Sequence, residues 1–281
     1  MQRRRRTEHH RTYPRSGFGT RALLALSALV LLTGLISRFT GTDGLTATVL
    51  TTASPTPLTV AFDETVESRT LSLDAETWYC LQSGIFSTED AAREKSAVYQ
   101  DRGAPGYVVP DGEKFRVLLC AYATREEAQA VREKLASQQN VDTYVYEMTC
   151  PDLRLQLTGM RGQLDVLDAA EALLPALARQ WRDAALAVDQ GQMTLTEVTA
   201  LAAEQAEQCQ VMRSTFVERF TAPLPPLAQQ LQALLQESEA SAQRVRTAAE
   251  RDLTHASAQM KMEALAGHQA LKAAREALLN P

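Results

Sequence analysis

The chain has 281 residues, 45% of them apolar but only 6% aromatic, which leaves room for one or two compact domains with real cores. Its formal net charge of −5 is divided unevenly: residues 1–21 hold seven arginines against Glu8, whereas residues 39–281 carry −12. So acidic a body repels polyanions and argues against a nucleic-acid partner.

Residues 1–21 therefore read as a basic tail. From Ala22 to Ser37 the run ALLALSALVLLTGLIS has no charge. A spanning helix needs about 20 apolar residues; Gly17–Thr20 and Phe39–Thr42 lengthen the run, and Arg21 and Arg38 can snorkel to the two interfaces. Arginines crowd the N-terminal side, so residues 22–38 are expected to form a single-pass anchor in the cell membrane. The N-terminus is then cytoplasmic and the C-terminal bulk extracytoplasmic. A cleaved signal peptide has the same basic-then-apolar order, but Ser37–Gly41 offers no small-x-small cleavage pattern. Either way the body is exported. Cys80, Cys120, Cys150 and Cys209 all follow this run, and four cysteines allow three disulfide pairings or none.

Residues 39–75, Thr-rich early on and holding Pro55 and Pro57, read as an extended linker, with Thr70–Leu73 able to add a short leading strand. Residues 76–148 contain an internal repeat. YCLQSGIFSTEDAA from Tyr79 and FRVLLCAYATREEA from Phe115 match at an offset of 36, aligning Tyr79 with Phe115, Phe86 with Tyr122 and Ala92 with Ala128. Each copy begins as a strand-like run. A Ser/Thr helix start follows at Ser87–Thr88 or Thr124, with acids in the first turn. Gly103 or Asn140 ends each helix, and second strands follow at Gly106–Val109 and Thr143–Met148. Asp111–Gly112 marks the turn between the halves. The fold class is thus α+β: a βαββαβ ferredoxin-like module with a four-stranded antiparallel sheet. Both helices pack on one face, with Tyr79, Leu81, Phe115, Val117 and Leu119 beneath them. Cys80, Gln82, Arg116 and Leu118 point to the other face, which is expected to stay open to solvent.

Beyond Pro151, alternating Leu153, Leu155 and Leu157 suggest one more strand. Helical spacing then governs residues 151–281: a first helix interrupted by Pro175, a second through Cys209, Met212 and Phe216, and a long third from about Leu227 towards Leu279 whose apolar stripe thins to alanines. This reads as an all-α helical hairpin or three-helix region, partly coiled-coil, suited to a protein partner or to self-association.

The repeat resembles the SPOR domain family of peptidoglycan-binding modules over about residues 76–148. The likeness rests on the aromatic start Trp78–Tyr79, the strand CLQSGIF, the Ser/Thr-led helix and the strand KFRVLL. It departs at Cys120–Ala121, where the family often has Gly-Pro, and at Leu118, where a polar residue would suit a groove. The resemblance implies that the open face binds peptidoglycan glycan strands lacking stem peptides, with localisation at division or sporulation septa. It also implies groove roles for Gln82, Ile85 and Arg116, with Leu118 beside them on the same face. The residue chemistry agrees. An amide that donates and accepts, a guanidinium fork and apolar patches suit sugars, whose hydroxyls ring an apolar face. Tyr107, Tyr144 and Tyr146 could add to the apolar patch or belong to the core.

Nothing marks an active site, and neither enzyme activity nor a cofactor or metal is expected. His9 and His10 lie in the tail, His255 and His268 read as surface residues of a polar helix, and none has a partner at metal-ligand or triad spacing. Cys209 falls on an apolar stripe and reads as a buried thiol. The overall expectation is a membrane-anchored glycan-binding protein. The alternative is a membrane-tethered helical adaptor whose βαββαβ unit docks a protein.

Overall fold

The computed structural model describes residues 65–221 and 223–279. The expected tail, membrane span and most of the linker lie outside the described residues. Among those described, no helix is long and apolar enough to cross a membrane.

Six strands and six helices follow in order: β1 Val66–Leu73, β2 Glu76–Phe86, α1 Glu89–Gln100, β3 Tyr107–Asp111, β4 Lys114–Tyr122, α2 Arg125–Gln139, β5 Tyr144–Cys150, β6 Leu153–Met160, α3 Arg161–Asp189, α4 Leu195–Arg219, α5 Pro226–Ala249 and α6 Leu253–Leu279. The duplicated halves fold as their spacing predicts. Thr88 and Thr124 cap α1 and α2 through their hydroxyls, and Glu127 completes a capping box. Asn140 ends α2 in the left-handed region at φ 52°. Gly106, at φ 58°, lets the chain enter β3 pressed against Ser96, whose carbonyl oxygen would be 2.6 Å from any Cβ placed there.

The sheet order is β3-β4-β2-β5, antiparallel throughout. The paired central strands β2 and β4 come one from each repeat copy, with Phe86 opposite Phe115 and Tyr79 opposite Tyr122. Two irregularities flank Gln82, where Leu119 on β4 and Ser83 on β2 are each an extra residue. Past the bulge Cys120 shares the face of Leu81, while Ala121 joins Cys80. On the α1–α2 side, Leu81, Val117, Leu119 and Tyr122 form a core with Ala92, Tyr99 and Ala128.

The opposite face departs from expectation. It is not left open. α6 lies against β3, β4 and β5, and α3 touches β4. Trp78, Cys80, Leu118, Ala121 and Met148 form one core with Ala178, Trp181 and Ala185 of α3 and Ala256, Met260, Ala264 and Leu265 of α6. Fully burying side chains such as Trp78, Leu118 and Met148 is worth roughly 1.5–3 kcal/mol each, which explains why the helices come to this apolar surface. Small residues permit the close approach, as at Gly267, where an added Cβ would lie 3.3 Å from that of Ala178.

The expected strands at Thr70–Leu73 and Leu153–Leu157 both exist, and they pair with each other. β1 and β6 form a two-stranded antiparallel ribbon from Val66 opposite Met160 to Leu73 opposite Leu153. After two intervening residues on each side, β2 and β5 resume the pairing at Glu76 opposite Cys150. Arg275 of α6 holds the interruption, its Nη1 donating to the carbonyls of Asp74 (2.9 Å) and Pro151 (3.0 Å).

The helical region has four helices among the described residues rather than two or three. The expected long third helix breaks at 250–252, without glycine or proline. There the Asp252 carboxylate accepts from the His255 backbone N–H at 2.9 Å and restarts the chain as α6. A second core, with Leu164, Leu174, Met212, Phe216, Leu231, Leu235 and Leu271, joins all four helices.

Candidate functional site

The face opposite α1 and α2 is best followed in rows across the strands. At one end Trp78 stands opposite Met148; Ala121, Cys80 and Tyr146 form the next row, then Leu118, Gln82 and Tyr144, and finally Val109, Arg116 and Ile85. The helices roof the Trp78 end. Towards the other end Ile85 is 46% and Tyr144 62% exposed. Half a surface therefore remains, and the four residues proposed from sequence divide between its parts.

Leu118 is fully buried beneath the helices and cannot meet a ligand in this arrangement. Gln82, at 5% exposure, is nearly covered, and its Oε1 accepts from Arg116 Nη1 at 2.5 Å. Its acceptor is occupied. Arg116 does reach the uncovered end. Its Nε donates to Asp111 Oδ2 at 2.8 Å, Nη2 bonds the same oxygen, and the guanidinium carbon lies 4.4 Å from the centre of the Tyr146 ring. Three of its five N–H groups are thereby used, and the fork is held rigidly. Ile85 is the one proposed residue that stands well out of the protein.

From its sequence Asp111 reads only as part of a turn. The register supplies one: Asp111 pairs with Lys114 and Val109 with Arg116, so the Asp111 carboxylate lies diagonally across the hairpin from Arg116. Of the three tyrosines, Tyr107 and Tyr146 are half-buried against the core shared with α3 and α6, and burial raises the phenol pKa of Tyr107. Tyr144 is exposed at the uncovered end, and the Tyr146 ring reaches it by lying beneath Arg116. This end thus offers a pinned guanidinium, a carboxylate, an aromatic ring beneath the cation, and an exposed Ile85–Tyr144 pair, a combination suited to a ligand with hydroxyls around an apolar face.

At the roofed end Trp78 stacks on His268, ring centroids 4.2 Å apart and 17° from parallel, while the Arg182 guanidinium lies 4.9 Å from the Trp78 ring. The Trp78 indole N–H donates to Glu76 at 2.9 Å. His268, expected at the surface, is 1% exposed and bonds the Met148 carbonyl through Nε2 at 3.1 Å. Burial lowers its pKa to about 4, despite the opposing effect of that hydrogen bond. The ring is therefore neutral at pH 7, with Nε2 as donor. His255 is surface-exposed as expected and bonds Asp252.

Cys80, Cys120, Cys150 and Cys209 are buried free thiols. Burial raises the pKa of Cys150 to about 11 and that of Cys209 to about 12, far from a reactive thiolate. Among the described residues no group of three His, Cys, Asp or Glu side chains is placed to hold a metal.

Residues 75–147, about a quarter of the chain, match the family model of the SPOR domain. The matched segment runs from just before β2 to the middle of β5, the four-stranded module itself. No curated protein and no solved structure matches the chain.

Proposed function

We propose that the protein is a membrane-anchored component of the bacterial cell envelope that binds peptidoglycan glycan strands through the uncovered end of its SPOR-matched sheet, at division or sporulation septa. The single observation that carries this reading is the SPOR match over a sheet whose Arg116 end remains accessible. Ile85 and Tyr144 supply apolar contact, and Arg116, held by Asp111 and Gln82 over Tyr146, supplies donors to sugar hydroxyls. The membrane anchor at 22–38 and the extracytoplasmic placement of the body rest on the sequence pattern alone.

Retention of residues 39–281 on purified peptidoglycan tests this. Binding should rise when an amidase has removed the stem peptides, and no retention on such glycan overturns the proposal. Ile85→Ala with Tyr144→Ala should lower retention about tenfold while leaving thermal stability nearly unchanged, because both side chains are exposed. Unchanged retention would remove the site.

One observation favours a second reading. The apolar half of the sheet face already holds helices of the same chain, which is how a docking platform within an adaptor would look. On that reading, residues 39–281 fail to bind the wall yet retain a protein partner through the four helices.

A further inference from the structure

A second concavity, of about 720 Å³, lies away from the sheet surface, between β1 and α3. This size is within the usual range for ligand sites. One wall is the chain from Thr70 to Glu76, the other is α3 around Glu171 and Pro175, and Arg275 of α6 reaches in. Consecutive residues of β1 line it, and neighbours along a strand point to opposite faces. The groove therefore runs along the edge of β1 and not over one of its faces. Among the described residues β1 pairs only with β6, so its other edge presents unpaired N–H and C=O groups.

Most charges around the groove are matched or, like the Asp74 carboxylate, exposed to solvent. Asp168 bonds Arg69 at 2.5 Å, and Glu76 bonds Arg179 at 3.1 Å and Trp78 at 2.9 Å. Arg275 Nη1 is occupied by the carbonyls of Asp74 and Pro151. Glu171 is only 5% exposed, yet its carboxyl has no hydrogen-bond donor among the described residues. Arg275 acts on it through charge alone, and burial raises its pKa. Four residues along α3, Pro175 has no N–H to return to the Glu171 carbonyl. Glu171 thus brings a nearly buried carboxyl without a hydrogen-bond donor from the described residues to the groove it lines. Buried acceptors of this kind call for a donor.

We propose that an extended peptide adds as a strand to the free edge of β1 and places a lysine-type ammonium side chain against Glu171. A strand edge recognises any extended backbone, and a buried carboxylate selects the cationic side chain. The ammonium group brings three donors and a positive charge to the nearly buried carboxylate of the groove that lacks a hydrogen bond. This inference does not rest on glycan binding, which uses a different surface.

Pools of acetylated hexapeptides, random except for a fixed third residue of lysine, norleucine or glutamate, test it against the full-length chain. The lysine pool should be retained at least tenfold better than the norleucine pool. Glu171→Gln should bring the two within twofold while far-UV circular dichroism shows the fold intact, and amide exchange in Val66–Leu73 should slow when the lysine pool is bound. Should Glu171→Gln fail to fold, Glu171→Asp takes its place, with the same loss expected. Equal retention of the lysine and norleucine pools, retention indifferent to these variants, or binding without slowed exchange in β1 each overturns the proposal.

Discussion

Gln82 and Ile85 lie three residues apart on one strand, yet substitution should affect them through different physics. Gln82 is buried and accepts from Arg116, so Gln82→Ala removes a charge-assisted bond and should cost about 1–2 kcal/mol of stability in a urea titration. Ile85→Ala should cost almost nothing. Alternation assigned Gln82 to this face, whereas Ile85 entered through the family resemblance and reaches the same face because Ser83 is an extra residue between them; neither signal tells which part of a face another segment will cover. His268 carries a second residue-scale consequence. Its folded pKa of about 4 is below the ordinary 6.5, so the unfolded chain takes up the proton first as pH falls. The stability due to its neutral form is complete above pH 6.5, declines between 6.5 and 4, and is gone below; the shift corresponds to at most about 3 kcal/mol. Burial sets this balance first, and the Met148 carbonyl, Glu76, Arg182 and Arg275 around the Trp78 stack adjust it. His268→Gln should flatten the pH dependence of the urea midpoint in that window, and an unchanged slope would show that other groups govern it.

At the level of elements, the repeat was legible because each half states its own boundaries: aromatic strand start, threonine cap, acidic first turn, left-handed or glycine stop. The β1–β6 pairing was half legible; each strand showed its alternation, but nothing local says that Val66 and Met160, or Leu73 and Leu153, will be partners. α6 was the least legible. Its alanines read as a thinning apolar stripe and His268 as a surface residue, whereas together with Met260 they form the contact face, since small side chains let a helix come close to a sheet. The break before α6 depends on the Asp252 cap, which competes with a chain of good helix formers. Asp252→Ala should therefore lower stability by about 1 kcal/mol in equilibrium denaturation; no change would mean that packing alone sets the break.

For the molecule as a whole, the decisive feature is a core that draws Trp78, Leu118 and Met148 together with Trp181, Met260 and Leu265. Sequence suggested a boundary near residue 150, because composition changes there from mixed to helical. The cores ignore it, and the described residues form one compact unit. Heating or urea should unfold that unit in one cooperative transition, with tryptophan fluorescence and far-UV circular dichroism coincident. Two separated transitions would show that the sheet module stands without its roof.

The ribbon made by β1 with β6 and continued by β2 with β5 also bears on mechanics. Between Thr65 and Ile85 the backbone is extended almost throughout, interrupted only around Asp74, where Arg275 grips the two carbonyls. A chain already drawn out has little slack to give. Tension entering at Thr65 and leaving at the Ile85 end would pass along two strands flanked by a paired neighbour, loading many ladder bonds at once. The fold would then act as a stiff tie between whatever holds its two ends.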